Sequence, residues 1–156
     1  MRLTEFTDHA LRLLMYLGAR YGRMATIDEV ARQYGMSRNH LAKVVNELAE
    51  VGVIMTVRGR SGGIWLAQDP RDIRLGEVVR RTEPNFHMAQ CFGGGDAAGC
   101  PFGTACLLRW SLAQATEAYL AELNRLSLAE LLATARTPAP DRHQATLAPC
   151  IKESTS

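Results

Sequence analysis

The chain of 156 residues is 47% apolar and 22% charged, a composition typical of globular proteins and long enough for one domain with an appendage. It contains neither a charged and apolar leader with a cleavage site nor an apolar run of about twenty residues, so we expect no signal peptide and no membrane span. The expected location is therefore the cytoplasm, where thiols stay reduced. There the four cysteines favour a metal site, a redox site or core positions over disulfides.

The net charge of +2 is unevenly distributed along the chain. Residues 1–81 contain thirteen Lys and Arg against nine Asp and Glu, whereas residues 82–156 contain five against seven. A basic N-terminal half is a mild indication of nucleic-acid binding, and the alternative is an ordinary solvated surface.

The N-terminal half shows the pattern of a helix-turn-helix. Residues 7–22 have apolar positions at roughly helical spacing. Thr26 and Glu29 form a T-x-x-E capping box that predicts the start of a second helix, and Gly35 predicts its end. Ser37 then serves as the N-cap of a third helix. The inner face of this third helix is expected to comprise Leu41, Val44, Val45 and Leu48.

The next segment, residues 52–67, reads as two short strands around the turn "RGRSGG". Arg58 and Arg60 lie at the tip of this predicted hairpin. A helix-turn-helix followed by a hairpin with basic residues at its tip is typical of a winged helix. The alternative is a surface turn with stray arginines, but the helix pair, the hairpin and the basic charge together favour DNA binding.

The third predicted helix is the expected recognition helix, because its N-terminal residues would approach base edges. Its candidate DNA-contacting residues are polar and lie near the helix start: Ser37, Arg38, Asn39, His40 and Lys43. Arginine and asparagine can make bidentate base contacts, whereas Lys43 is better suited to a phosphate. His40 is also compatible with packing on the turn.

The C-terminal half is predicted to be helical with one irregular loop. Residues 74–83 predict a short helix, and residues 106–126 predict a helix about 30 Å long. Ser127 and Glu130 form a capping box for a short last helix, and we expect residues 137–156 to be a mobile tail. The long helix has an apolar stripe: Leu108, Leu112, Ala115, Tyr119, Leu123 and Leu126. This stripe predicts dimerisation, the alternative being packing on its own domain.

Three of the four cysteines lie in the Gly- and Ala-rich stretch "CFGGGDAAGCPFGTAC". Eight residues separate Cys91 from Cys100 and five separate Cys100 from Cys106, so the close pair of a structural zinc site is missing. Three thiolates suit an iron–sulfur cluster, which normally takes four ligands. Cys150 is a candidate for the fourth. A zinc-stabilised DNA-binding protein, a small redox protein and idle thiols are the alternatives.

These features occur in an order that resembles one family, the bacterial winged-helix iron–sulfur transcriptional regulators. The resemblance covers roughly residues 1–135. It rests on the three cysteines and on the segments "MRLTEFTDHALRLLMYL", "NHLAKVVNEL", "VRGRSGGIWLA", "IRLGEVVRRTEPNF" and "SLAELL". It implies a homodimer on a palindromic operator of double-stranded DNA, with the state of the cluster controlling DNA affinity and no catalytic step.

The fourth ligand separates the types within this family. The iron–sulfur-assembly type uses a His three residues after the last Cys, where this chain has Arg109, and arginine is not a metal ligand. The nitric-oxide-sensing repressors of the NsrR type use an Asp of the first helix, from the other subunit, and Asp8 stands in the matching place. Asp8 could instead serve only the helix dipole, and His9 is a competing ligand.

The resemblance therefore implies a repressor that binds its cluster through Asp8, Cys91, Cys100 and Cys106. The implied cofactor is a 4Fe–4S cluster, with 2Fe–2S as the alternative, and the implied signal is nitric oxide. An iron- or redox-sensing regulator of the same family is the runner-up. The gap between Cys91 and Cys100 is longer than usual in the family, which costs little in loop-closure entropy.

The predicted architecture is mainly α-helical. It comprises a winged helix-turn-helix domain at 1–82, a cluster loop at 83–106, a dimerisation helix with a short terminal helix at 107–136, and a tail at 137–156.

Overall fold

The computed structural model describes residues 2–59, 62–87, 89 and 106–134. Cys91, Cys100, Arg60, Cys150 and the predicted tail lie outside the described residues. The elements in chain order are α1 (Glu5–Gly18), α2 (Ile27–Tyr34), α3 (Arg38–Glu50), β1 (Ile54–Val57), β2 (Gly63–Leu66), α4 (Leu75–Thr82), α5 (Leu107–Asn124) and α6 (Leu128–Thr134). The mainly α-helical class and the winged-helix order of elements are confirmed.

Helix α1 forms the centre of the fold, since it packs against α3, α4 and α6. It begins two residues earlier than the predicted range, because the Thr4 hydroxyl accepts a hydrogen bond from the Thr7 backbone N–H at 3.3 Å and caps the helix. Its buried side chains recur at helical spacing: Ala10, Leu13, Leu14, Tyr16 and Leu17.

The turn between α2 and α3 follows its sequence signals. The predicted capping box is confirmed, because Glu29 Oε2 accepts from the Thr26 backbone N–H at 2.9 Å and Thr26 Oγ1 accepts from the Glu29 N–H at 3.2 Å. The Thr26 backbone N–H and hydroxyl both donate to the Glu29 carboxylate, and these two bonds lower the pKa of that carboxyl. Gly35 ends α2 with a φ of 65°, a left-handed conformation that favours glycine. Ser37 occupies the N-cap of α3, but its side chain makes no capping hydrogen bond.

The hairpin packs against the helices through one face. Strands β1 and β2 are antiparallel, with Ile54 opposite Leu66 and Val57 opposite Gly63. Ala25 extends this small sheet through two backbone hydrogen bonds with Ile64, of 2.9 and 2.8 Å. The residue at position 63 must be glycine, because a Cβ there would lie 2.7 Å from the Ala25 carbonyl oxygen. The hairpin is thus fixed to the core beside α3.

The core is one cluster of buried residues drawn from all three helices of the helix-turn-helix region, the hairpin, α4 and α6. The last helix joins it because Leu128 is fully buried and its N–H donates to the Ile73 carbonyl at 2.9 Å. The predicted capping box of this helix is confirmed: Glu130 Oε2 accepts from the Ser127 backbone N–H at 2.8 Å, and this bond lowers the pKa of the Glu130 carboxyl.

Helix α5 packs along α4 of its own chain. The side chains buried in this contact are Thr116 and Leu120, neither of which belongs to the predicted stripe. The two helices approach so closely at Gly76 that a Cβ there would overlap the Leu120 carbonyl oxygen. An ion pair of 2.9 Å between Arg80 and Glu117 adds to it and lowers the pKa of the Glu117 carboxyl. This contact uses a different face from the predicted stripe, so dimerisation through the stripe stays a prediction.

No helix within the described ranges is long and apolar enough to cross a membrane.

Candidate DNA-binding surface and cluster-ligand residues

Helix α3 has one buried and one exposed face. Its buried residues are those predicted from the sequence: Leu41, Val44, Val45 and Leu48. The five candidate contact residues are all exposed on or just before its first turns: Ser37, Arg38, Asn39, His40 and Lys43. Because the apolar face is anchored in the core, this polar face is held outward where a DNA groove could receive it.

A cleft of about 460 Å³ lies between the start of α2, the exposed side of α3 and the hairpin. Asp28, Arg38, Asn46 and Arg58 provide its charged and amide groups. Asp28 Oδ1 lies 3.0 Å from Arg38 Nε across the helix-turn-helix turn. Asp28 was missed by the sequence analysis, since ten positions separate it from Arg38 and no local pattern joins residues that a turn brings together.

The hairpin of β1 and β2, which is the wing of the winged helix, places a basic side chain beside the cleft. Arg58 directly follows β1 and is exposed, and the adjacent Gly59 has a φ of 116° that favours glycine. Arg60 lies outside the described residues, so only one of the two wing arginines has an observed position.

Among the candidate cysteine ligands, Cys106 is the one with an observed position. It is the N-cap residue of α5, half-buried and free, and its side chain makes no capping hydrogen bond. Its thiol is therefore available to a metal, and a thiolate is the donor that iron–sulfur clusters prefer. No group of three His, Cys, Asp or Glu residues forms a metal site within residues 2–59, 62–87, 89 and 106–134.

Asp8 lies on the first half of α1 and is 48% exposed in its side chain. Its Oδ2 lies 2.8 Å from Arg12 Nε, one helical turn further along. The Arg12 guanidinium carbon lies 6.0 Å from the centre of the Tyr34 ring, at the end of α2. Tyr34 in turn packs edge-on against Tyr16, with ring centres 6.2 Å apart. A continuous line of contacts thus runs from Asp8 to the helix-turn-helix. No local sequence pattern indicates this role of Arg12.

The start of α1 is also tied to the end of α4. Glu83 Oε2 accepts hydrogen bonds from the Thr4 backbone N–H and the Thr4 hydroxyl, both at 3.1 Å, and from the buried Thr7 hydroxyl at 2.7 Å. Glu83 precedes the segment that contains the cysteines, and Thr7 neighbours Asp8. These bonds therefore connect the chain entering the cysteine segment to the helical turn that carries Asp8.

Large apolar side chains are exposed at the start of α5, next to Cys106. The exposed fractions of Leu107, Leu108 and Trp110 are 75%, 62% and 62%. The other members of the predicted stripe within α5 are exposed or half-buried. Large apolar side chains exposed together on one helix are a feature of interaction sites.

The comparison with protein families decides the classification. The Rrf2 family model, described as an iron-dependent transcriptional regulator, matches residues 3–134. The chain belongs to the Rrf2 family. It is 43% identical over 133 residues to the HTH-type transcriptional regulator NsrR of Bacillus subtilis, covering 85% of this chain and 90% of that protein. The regulator of the same name from Geobacillus kaustophilus is also 43% identical, with the same coverage.

Solved structures of two transcriptional regulators share the fold. The T. potens IscR structure has a TM-score of 0.70 at 18% identity, covering 92% of this chain and 96% of that one. The structure of CymR, the global cysteine regulator of B. subtilis, has a TM-score of 0.67 at 18% identity, covering 86% and 98%. The fold and the family membership together identify the chain as a DNA-binding transcriptional regulator.

Proposed function

We propose that this Rrf2 regulator is a homodimeric repressor that binds an iron–sulfur cluster and releases its palindromic operator when nitric oxide reacts with that cluster. Three features support the proposal. Several relatives at 41–43% identity are named NsrR, Asp8 matches the ligand position of that type, and Arg109 replaces the histidine of the other type. Cys91, Cys100 and Cys106 would supply thiolates, and Asp8 would supply a carboxylate from the partner subunit.

The line of contacts from Asp8 through Arg12 to Tyr34 carries the proposal. A carboxylate that donates charge to a metal holds an arginine less strongly than a free carboxylate does. Arg12 would therefore occupy different positions when Asp8 is a ligand and when it is not. The Arg12 guanidinium lies over the ring of Tyr34, the last residue of α2. Its displacement would therefore change the packing at the end of α2 and, through it, the orientation of α3.

When bound, the cluster would supply iron atoms that react with nitric oxide. Among the four ligands, the hard carboxylate oxygen of Asp8 is the poorest match for a soft iron–sulfur site, so Asp8 would be the first to leave. No catalytic step is needed, since ligand loss alone alters the interactions of Asp8 and Arg12.

The exposed apolar surface of α5 supports the homodimer. Leu108 and Trp110 would be covered by the second copy, while Leu120 stays packed on α4. A dimer presents two α3 helices, whose half-sites should lie about 34 Å apart or a multiple of that distance. A change in dimer geometry would therefore weaken binding at both half-sites together.

An iron-sensing regulator is the second candidate, and the description of the family as iron-dependent favours it. In that case the same ligands would bind the cluster, but the loss of iron rather than its reaction with nitric oxide would change DNA affinity. A zinc-stabilised DNA-binding protein would instead be colourless.

One experiment separates these candidates. Protein purified without air is assayed for visible absorbance, iron and sulfide, and its operator is selected from a random duplex library. Nitric oxide is then titrated into the complex, with an iron chelator in a parallel titration. We expect a coloured protein that releases DNA on addition of nitric oxide. A colourless protein would contradict the proposal. Release of DNA by the chelator but not by nitric oxide would also contradict it.

A further inference from the structure

Arg38 is the first residue of α3, and Asp28 lies in the first turn of α2. Their ion pair has Nε as the closest nitrogen, 3.0 Å from Asp28 Oδ1. The side chain of Arg38 remains 70% exposed. The carboxylate thus approaches the guanidinium on its Nε side.

This ion pair is expected to contribute little to the stability of the fold. Both partners are more than half exposed, and exposed pairs contribute little because solvent screens them and two long side chains must be ordered. Its location suggests another role. Asp28 is the one acidic residue among the described residues that line the cleft, where Arg38 and Arg58 are the basic ones.

We propose that Asp28 is a positioning residue that sets the base specificity of Arg38. The inference rests on the proposed reading of the operator by α3. An arginine held in one orientation before binding loses less conformational freedom on making a bidentate contact, for which the guanine edge is the usual partner. The Asp28 carboxylate also repels DNA phosphates, which opposes binding to any sequence. At the operator the ordering of Arg38 outweighs this repulsion, so Asp28 raises specific binding and lowers non-specific binding.

The test selects duplexes from a library with a randomised centre and sequences those bound by each variant. Arg38→Ala identifies the base pair that Arg38 reads, since that position alone should lose its preference. Asp28→Ala should lower the base preference at the same position by roughly threefold to tenfold, which corresponds to the cost of ordering one long side chain. Its affinity for a scrambled duplex should stay constant or rise, a combination that general loss of folding would not produce.

Three further variants serve as controls. Asp28→Asn keeps an oxygen beside Nε without the charge, so it should restore much of the preference. In the Arg38→Ala background, Asp28→Ala should have no further effect on specificity. Asp72→Ala removes one exposed carboxylate from a separate pocket that the C-terminal end of α3 lines, and should leave the preference unchanged.

The outcomes separate this inference from the function on which it rests. If the wild-type protein selects no sequence, operator reading by α3 is wrong and the inference falls with it. If the wild type selects a sequence, the inference alone is overturned by any of three results: Arg38→Ala relaxes no single position, Asp28→Ala leaves the Arg38 position unchanged, or Asp28→Ala tightens specific binding.

Discussion

At the scale of single residues, Arg12 is the link between the candidate ligand and the DNA-binding helices. It is ion-paired with Asp8 on one side and lies over the ring of Tyr34 on the other. Both contacts are made by the same side chain, so a change at Asp8 must alter the position or the freedom of Arg12. A variant without this side chain should separate cluster binding from the DNA response.

We predict that Arg12→Ala retains the cluster but responds much less to nitric oxide. In the wild type the expected change in operator affinity is roughly 5- to 150-fold, the usual range for coupled sites. Iron, sulfide and operator affinity are measured before and after nitric oxide. Arg20→Ala is the matched control, because Arg20 stacks 4.0 Å from the Tyr16 ring centre without contacting Asp8. A wild-type response in Arg12→Ala would show that the signal takes another route.

The cysteines should differ sharply in their effect on cluster content. We predict that Cys91→Ala, Cys100→Ala and Cys106→Ala each lose most bound iron and sulfide after anaerobic purification, because each removes a thiolate ligand. Cys150→Ala should retain both, since its thiol is not needed once Asp8 completes the set. Retention of the cluster by Cys100→Ala, or its loss from Cys150→Ala, would show that the proposed ligand set is wrong.

At the scale of elements, the hairpin next to α3 should add non-specific DNA contacts. We predict that Arg58→Ala weakens operator binding and makes its salt dependence shallower, by about one unit of slope for each lost phosphate contact. The affinity is measured over a range of salt concentrations. Arg71→Ala serves as the control, because Arg71 is paired with Asp69 in the turn before α4. An unchanged slope in Arg58→Ala would mean that the wing does not contact phosphate.

Helix α5 offers a paired test of its two faces. Leu120 is fully buried against α4, whereas Leu108 is 62% exposed on the same helix. We predict that Leu120→Ala lowers the free energy of unfolding by about 2–5 kcal/mol through a cavity. Leu108→Ala should instead weaken dimerisation. Urea unfolding and sedimentation equilibrium distinguish the two, and an unaltered dimer in Leu108→Ala would remove this residue from the interface.

Local signals predicted the elements better than the contacts between them. The capping boxes at Thr26 and Ser127 were predicted because each involves residues three apart along the chain. The face of α5 that packs on α4 was not predicted. Helix α5 has apolar residues on more than one side, and the sequence does not show which side contacts its own chain. The Arg12–Tyr34 contact joins two helices, so no spacing in the sequence indicates it.

At the scale of the whole molecule, the proposed sensor depends on two copies of the chain. Asp8 lies on the helix at the centre of the fold, while Cys106 is the N-cap residue of a helix whose exposed apolar side chains are available to a partner. Pairing of two copies through α5 would allow Asp8 of one subunit to approach the cysteines of the other. The central claim is therefore that each complete site contains residues of both subunits.

Mixed dimers test this claim most directly. Subunits carrying Asp8→Ala and Cys100→Ala, each with a different affinity tag, are combined, and the heterodimer is isolated without air for measurement of its iron, sulfide and spectrum. If Asp8 acts across the dimer, one site of the heterodimer keeps all four ligands, and we predict a wild-type spectrum at about half the wild-type cluster content. If Asp8 acts within its own chain, neither site is complete. A heterodimer without any wild-type cluster would contradict the claim.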